Sequence, residues 1–460
     1  MVDRSYSEKF LLKGNWWISG KNELKSAGDL VHSPKSMQLG LHECITAEQS
    51  HPFSELDPVR RIIHGESFSE KYTLFDCFET GSIALDGHQW QNSWITNTLA
   101  IGAHVDSLDA STFSFGLASF DVLGFTLQSG NFKSEDDYEK SVHSISWEPS
   151  PTFDFKVTSN NESWTLKSES LFSAPRTRFK CELIDRSAFC LKPDEVRSIR
   201  WFIEKALSLR TLLTLMSGQP VHITELTIWD ASSKPLRVFI RQTTSTEPSD
   251  FYNLLQKICT LEPDVRKAVF NNFFNLDAEM RIVTGILCAS LFETNTYARV
   301  DFINLTQALE GFHRITVGSS KYLTDDEYNE KIKKPLIDAI APINSDLTSK
   351  LTTMLEHGNE YSQRQRFREL GKSLNEDFGK DLIPKPSKFA DQICDTRNAF
   401  THQGGSSTAG FAENDCFYAN KGLQLILLLL TLRHLGVPAS SIQDFKNLKL
   451  YRFFNIKRLW

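Results

Sequence analysis

At 460 residues the chain exceeds what one hydrophobic core usually organises, so two domains are expected. Its composition, 40% apolar and 23% charged, is that of a soluble globular protein, and a net charge of -6 offers no overall attraction to nucleic acid; any RNA or DNA contact must come from a local basic patch. The charged start MVDRSYSEKF lacks the apolar core of a secretion signal, and the longest apolar run, Leu425 to Leu430, falls far short of the roughly 20 residues of a membrane span. The eight cysteines are scattered without a CxxC pair, so a cytoplasmic protein with reduced thiols, no membrane contact and no metal or cofactor is expected.

From about Trp16 to Leu191 short aromatic and β-branched runs alternate with Gly, Asp, Asn and Ser. Pieces such as Thr112-Phe113-Ser114-Phe115 and Thr152-Phe153-Asp154-Phe155 have the period of half-buried strands, which predicts an antiparallel β-rich domain. The period changes at KPDEVRSIRWFIEKALSLRTLLTLMSG, a helical connector near 193–217 that starts at Pro193 and Asp194 and is closed by Gly218. A β-like return follows in HITELTIWD and RVFIRQT, and the boundary is placed near Ser249, giving domains 1–248 and 249–460. The second reads as helices: Phe251 to Thr260, Pro263 to Phe274, Ala278 to Phe292, Val300 to Ile315, Asp325 to Ile340, Asp346 to Tyr361, Gln363 to Leu374, Lys388 to His402 and Asn414 to Leu435. The fold class is thus α+β, an antiparallel β-rich half followed by an all-α bundle.

No GxxxxGK[ST], GxGxxG after a strand, HExxH or GxSxG occurs, so nucleotide hydrolases, dinucleotide enzymes, zinc proteases and α/β-hydrolases lack their signatures. The His104-Val105-Asp106 fragment resembles part of a metal site but has no partner ligands in view, and it reads as strand. What remains is CDTRNAFTHQGG, Cys394 to Gly405, in which Arg397 and His402 form an Arg-x4-6-His pair at the end of a predicted helix. The amphipathic helix VDFINLTQALEGFHRI, with Phe302, Leu305, Leu309 and Phe312 on one stripe, precedes it; a leucine-rich helix and a GVP stop at Gly436 to Pro438 follow. This order resembles the HEPN domain of ApeA-like anti-phage defence proteins, and KGNWWISG, RIIHGESFSEKYTLFDC and WITNTLAIGAHV resemble the β-rich N-terminal domain of the same family.

The resemblance implies a metal-independent endoribonuclease of antiviral defence whose first domain senses an unknown phage trigger. RNA carries its own nucleophile, the 2′-OH. A histidine with an ordinary pKa near 6.5 suits proton transfer, and an arginine fork matches phosphate oxygens, so His402 is the expected acid or base and Arg397 the phosphate clamp. Asn398 either orients the phosphate or His402, or is an ordinary solvated residue. Single-stranded or loop RNA, transfer RNA among the choices, is the expected substrate, with 2′,3′-cyclic phosphate ends.

Five positions along an ideal helix turn the chain by about 500°, which leaves Arg397 and His402 some 140° apart in direction and about 7.5 Å apart along the axis. Either Gly404 and Gly405 fray the helix end, or two chains pool their pairs in a homodimer joined through the apolar face of Leu423 to Leu435. Arg364, Arg366, Arg368 and Lys372 in QRQRFRELGK, and the basic aromatic tail FKNLKLYRFFNIKRLW, are the expected contacts to the RNA backbone. Two rival readings stay open: a catalytically silent HEPN module that only binds RNA or protein, and a structural or sensor protein in which Arg397 is a solvated helix residue and His402 a helix cap.

Overall fold

In a computed structural model of the chain the described residues are 6, 8–43, 45, 60–85, 89–120, 131–137, 142–148, 154–159, 162–173, 184–242, 261–292, 297–317, 320–380, 382–401, 411 and 413–443. They fall in two compact units, Met1–Asn275 and Leu276–Trp460. The boundary expected near Ser249 and the helix expected over Phe251 to Thr260 lie outside the described residues.

In the first unit β1 (Phe10–Ile18), β2 (Ser26–Ser33), β3 (Ser36–Leu41), β4 (Arg61–Glu66), β5 (Lys71–Leu85) and β6 (Gln89–Thr96) close into an antiparallel barrel. The order is β1-β2-β3-β6-β5-β4, with β4 pairing back to β1. Alternation sets the faces: Leu30 stands opposite Leu39, and both are buried. Trp16, wholly buried, donates its indole N–H to the Gly28 carbonyl at 3.0 Å and lies flat over Gly65, where a Cβ would come within 2.3 Å of the ring. Only glycine admits that approach.

β5 is shared by the barrel and the open part of the same sheet. Its first residues pair with β4 and with β7 (Thr98–Ile101), and beyond Asp76, at φ +52°, it pairs with β6. From β7 the open part of the sheet continues through β15 (Pro235–Ile240), β14 (Ile223–Asp230), β8 (Phe113–Phe120), β13 (Ile184–Pro193), β12 (Glu162–Ser173) and β11 (Asp154–Ser159); β9 (Asn131–Asp137) and β10 (Val142–Glu148) form a separate hairpin.

Two expectations are corrected here. The helix expected from Pro193 starts later: β13 runs through Pro193 opposite Trp164, and α1 spans Ile199–Ser217, capped by Ser198, whose hydroxyl accepts the Trp201 N–H at 3.3 Å. Gly218 closes it in the left-handed conformation at φ +68°, as the sequence predicts. His104, Val105 and Asp106 lie in a loop rather than a strand, where His104 stacks on His64 at 4.8 Å and its Nε2 meets the Gly65 carbonyl at 2.9 Å. The helix α2 (Pro263–Phe274) packs on β11: Phe270 meets Phe155 at 5.3 Å, and the Ser159 hydroxyl donates to the Phe274 carbonyl at 2.7 Å.

Burial pushes the imidazoles of His32, His64 and His222 below their ordinary range, His222 to about 4. These groups are neutral in the fold and take up protons on unfolding below about pH 6.5, so their contribution is present above that value and lost as pH falls toward 4. The melting temperature of the protein is expected to fall steadily between pH 7 and 5. A calorimetric series in which it rises would show the imidazoles charged in the native state.

The second unit comprises α3 (Ala278–Phe292), α4 (Ala298–Thr316), α5 (Asp325–Tyr328), a π-helical turn (Asn329–Lys333), α6 (Lys334–Ile340), α7 (Ser345–Glu356), α8 (Gln363–Phe378), α9 (Pro386–Thr401), α10 (Glu413–His434) and α11 (Ala439–Gln443). The predicted stripe of α4 is buried: Phe302, Leu305, Leu309 and Phe312 are each at most 4% exposed. The leucine-rich face of α10 corrects a further expectation. Leu423, Leu425 to Leu430 without exception, Leu432 and Leu435 are buried inside the chain itself, where α10 packs on α3 and α4, so this face offers no surface for a second copy. A helix apolar on all sides is a core element. Among the described residues no helix is long and apolar enough to cross a membrane.

Candidate functional site

The motif stands on α9, which buries Phe389, Ala390, Ile393 and Cys394 at helical spacing. α8 lies against it, and Arg364 stitches the two, its Nη1 donating to Asp391 at 2.8 Å and its Nη2 to Asp395 at 2.7 Å. Gln363 faces the Cys394 thiol at 3.8 Å; burial pushes that thiol up to about 11, so it stays protonated near neutrality and is no nucleophile.

Arg397 sits one turn beyond Ile393 and Cys394 on the same stripe, at the end of the bundle. Its guanidinium makes one long contact, Nη1 to the Asn398 side-chain oxygen at 3.5 Å, its Nε is buried without a hydrogen-bond partner, and no carboxylate pairs with it among the described residues. Asn398, exposed, continues the ridge of Asp391 and Asp395. His402, Gly404 and Gly405 lie outside the described residues, as does the basic tail from Phe445 to Trp460. Both flanks of 402–410 are anchored to the bundle. Thr401 donates its hydroxyl to the Arg397 carbonyl at 3.0 Å, and the buried Thr396 hydroxyl accepts the Phe411 N–H at 2.9 Å.

The four cations expected to hold RNA are dispersed by the helix. Arg364 is committed to Asp391 and Asp395. Arg366 is 1% exposed; its Nε donates to the Tyr361 carbonyl at 3.0 Å and its Nη2 to Glu360 at 3.2 Å, a position that presents no charge to a phosphate. Arg368 is half-buried with its Nη1 on Gln365 at 3.3 Å, and Lys372 alone of the four is exposed. At 100° per residue, alternate positions of α8 point to opposite sides.

Two cations that the sequence reading did not single out stand at the motif's end of the bundle. Arg299, exposed on the first turn of α4, lies over the Phe400 ring at 5.3 Å, and Phe400 follows Arg397 by three positions on α9. Lys421 on α10 has its pKa lowered by burial, partly offset by Asp301. The Asn420 amide ties α10 to the Ala298 carbonyl at 2.8 Å, which brings Lys421 to the same end as Arg299. A helix-start arginine and a mid-helix lysine have no local signal; only the packing joins them to Arg397.

Family models match most of the chain: ApeA N-terminal domain 1 over residues 12–275, and Apea-like HEPN over residues 303–441, which contain both Arg397 and His402. No curated protein and no solved structure matches the chain.

Proposed function

The chain belongs to the ApeA-like family, with an ApeA N-terminal domain and a C-terminal HEPN domain, and from that premise we propose that it is a cytoplasmic, metal-independent endoribonuclease of anti-phage defence. HEPN domains are generally ribonucleases. The observation that carries the reading is the state of Arg397: while Arg364 and Arg366 are held by carboxylates, its guanidinium has none among the described residues, at the site of the family motif. An arginine desolvated at its Nε, whose fork makes only one long contact, to Asn398, gains most from a bidentate phosphate.

In this reading Arg397 clamps the scissile phosphate and stabilises the charge that builds on it, His402 moves the proton, and Asn398 orients either the phosphate or the imidazole. The RNA 2′-OH attacks the adjacent phosphorus and the 5′-oxygen leaves, giving a 2′,3′-cyclic phosphate and a 5′-OH. Arg299 and Lys372 supply cations for the flanking backbone. Arg397 and His402 of two chains face one groove in a homodimer, and the N-terminal unit responds to a phage trigger.

The test is incubation of the purified protein with RNA carrying both loops and perfect duplex, in EDTA at neutral pH. Cuts in single-stranded loops, transfer RNA anticodon loops included, with cyclic-phosphate ends are expected, because in-line attack needs a flexible backbone. A strict magnesium requirement, or cuts inside the duplex, contradicts the mechanism; RNA bound but uncut places the chain among silent binding modules.

A further inference from the structure

At the end of the bundle that carries Arg397, aromatic side chains stand in water. On α10 the buried positions Cys416, Ala419, Asn420 and Leu423 mark the core face, which turns Phe417, Tyr418 and Lys421 outward. Phe417 is 53% exposed and Tyr418 46%, and their rings meet edge to face at 5.6 Å. Tyr297, at the N-terminal cap of α4, is 84% exposed. A single apolar residue in solvent is ordinary, but three aromatics on two packed helices, set among cations, contribute little to the core and call for another role.

The packing ties these rings to the motif. Phe400, three positions beyond Arg397 on α9, meets Phe302 of α4 edge to face at 5.7 Å and carries Arg299 at 5.3 Å. The neighbouring Ala298 carbonyl accepts the Asn420 amide at 2.8 Å, and Lys421 follows, its Nζ 5.7 Å from the Phe417 ring. The surface thus runs from Arg397 on α9 past Arg299 on α4 to Lys421, Phe417 and Tyr418 on α10, helices that pack at spacings of about 8–10 Å. A strand whose phosphate lies on Arg397 must lay its flanking nucleotides along this surface. Asp301, Glu413 and Asp415 share the same stretches with Arg299 and Lys421, so charge alone does not hold a strand there and stacking has to supply the affinity. We propose that Phe417 and Tyr418, with Tyr297 on the neighbouring helix start, form a base-stacking platform for the unpaired nucleotides beside Arg397, and that this platform makes the site specific for single strands. The bases of a regular stem are stacked on one another and offer no free face to these rings. That the phosphate beside the platform is the one cut rests on the nuclease reading.

The test reads binding apart from cutting. A single-stranded RNA blocked by 2′-O-methyl groups and carrying 2-aminopurine is titrated with the full chain, and the fluorescence of the 2-aminopurine falls when it stacks. Quenching is expected with the wild type. Phe417→Leu with Tyr418→Leu should weaken binding by about tenfold or more and remove the quench, because leucine keeps apolar surface but has no ring face. Circular dichroism should stay unchanged, since both side chains lie in solvent. Phe417→Trp with Tyr418→Trp should keep both binding and quench. The leucine loss should be the same at low and high salt, whereas Lys421→Ala should flatten the salt dependence. Leucine variants that bind and quench like the wild type, tryptophan variants that bind no better than the leucine ones, or perfect duplex bound as tightly as single strand overturn the proposal. So does a leucine variant with altered sedimentation and unaltered RNA affinity, which makes this face a protein contact. Quenching by a chain that cuts no RNA upholds the platform and counts against the nuclease reading; cutting of unblocked RNA without any quench overturns the platform and leaves that reading standing.

Discussion

Arg397→Ala is expected to lower RNA cleavage by about 10³-fold or more, and His402→Ala by about 10²- to 10⁴-fold, with the melting temperature of either variant unchanged. The reason lies in how little the fold asks of Arg397: one 3.5 Å contact to Asn398 and a buried Nε with no partner, so truncation removes no ion pair and frees an unsatisfied donor. What is lost is a fixed cation where the phosphorane gathers charge. Arg397→Lys should recover only part of the rate, since a point charge does not reproduce a planar fork. Coexpressed Arg397→Ala and His402→Ala chains should regain activity that neither has alone if two chains share the groove. The measurement is the initial rate on a defined loop substrate; full cleavage by either alanine variant would sink the assignment.

Arg366→Ala acts in the opposite sense, on stability and not on the cut. The guanidinium is buried, and its removal orphans the Tyr361 carbonyl and leaves its buried place empty, for a cost of about 2–3 kcal/mol. Glu360 is a third exposed and stays solvated when its partner goes, which keeps the cost below that of stranding a fully buried charge. Arg364→Ala breaks two part-exposed pairs and should cost under about 1 kcal/mol. Urea unfolding of the two variants beside the wild type checks the contrast. An Arg366→Ala protein of native stability with weakened RNA binding would return this residue to the RNA-contacting set.

Local periodicity carried much of the fold. The bounds predicted for Pro263 to Phe274 and Ala278 to Phe292 coincide with α2 and α3, and the stripe of α4 is buried residue for residue, because spacing of three and four is a property of the segment itself. Closure of the barrel is not such a property: β6 reaching β3, and β4 reaching β1, depend on pairings between strands far apart in the chain. α1 starts later than the sequence predicts because Pro193 and Asp194 have helix-start chemistry while the ladder with β12 holds Pro193 in the strand. At the site, Arg397 was legible as a motif. The engagement of Arg364 was not, because its partners Asp391 and Asp395 lie on the next helix, whereas the burial of Arg366 against the nearby Tyr361 and Glu360 follows from the turn of α8 itself.

The double membership of β5 bears on how the first unit can be divided. A cut placed in the loop after β6, to excise the barrel as a module, removes β5 from β7 and leaves the backbone groups of Thr98 to Ile101 without the neighbour that now occupies them. A cut before β5 opens the barrel wall instead. Either fragment carries a raw, pairing-competent edge and a tendency to aggregate. Barrel and open sheet are thus inherited, lost or transplanted together.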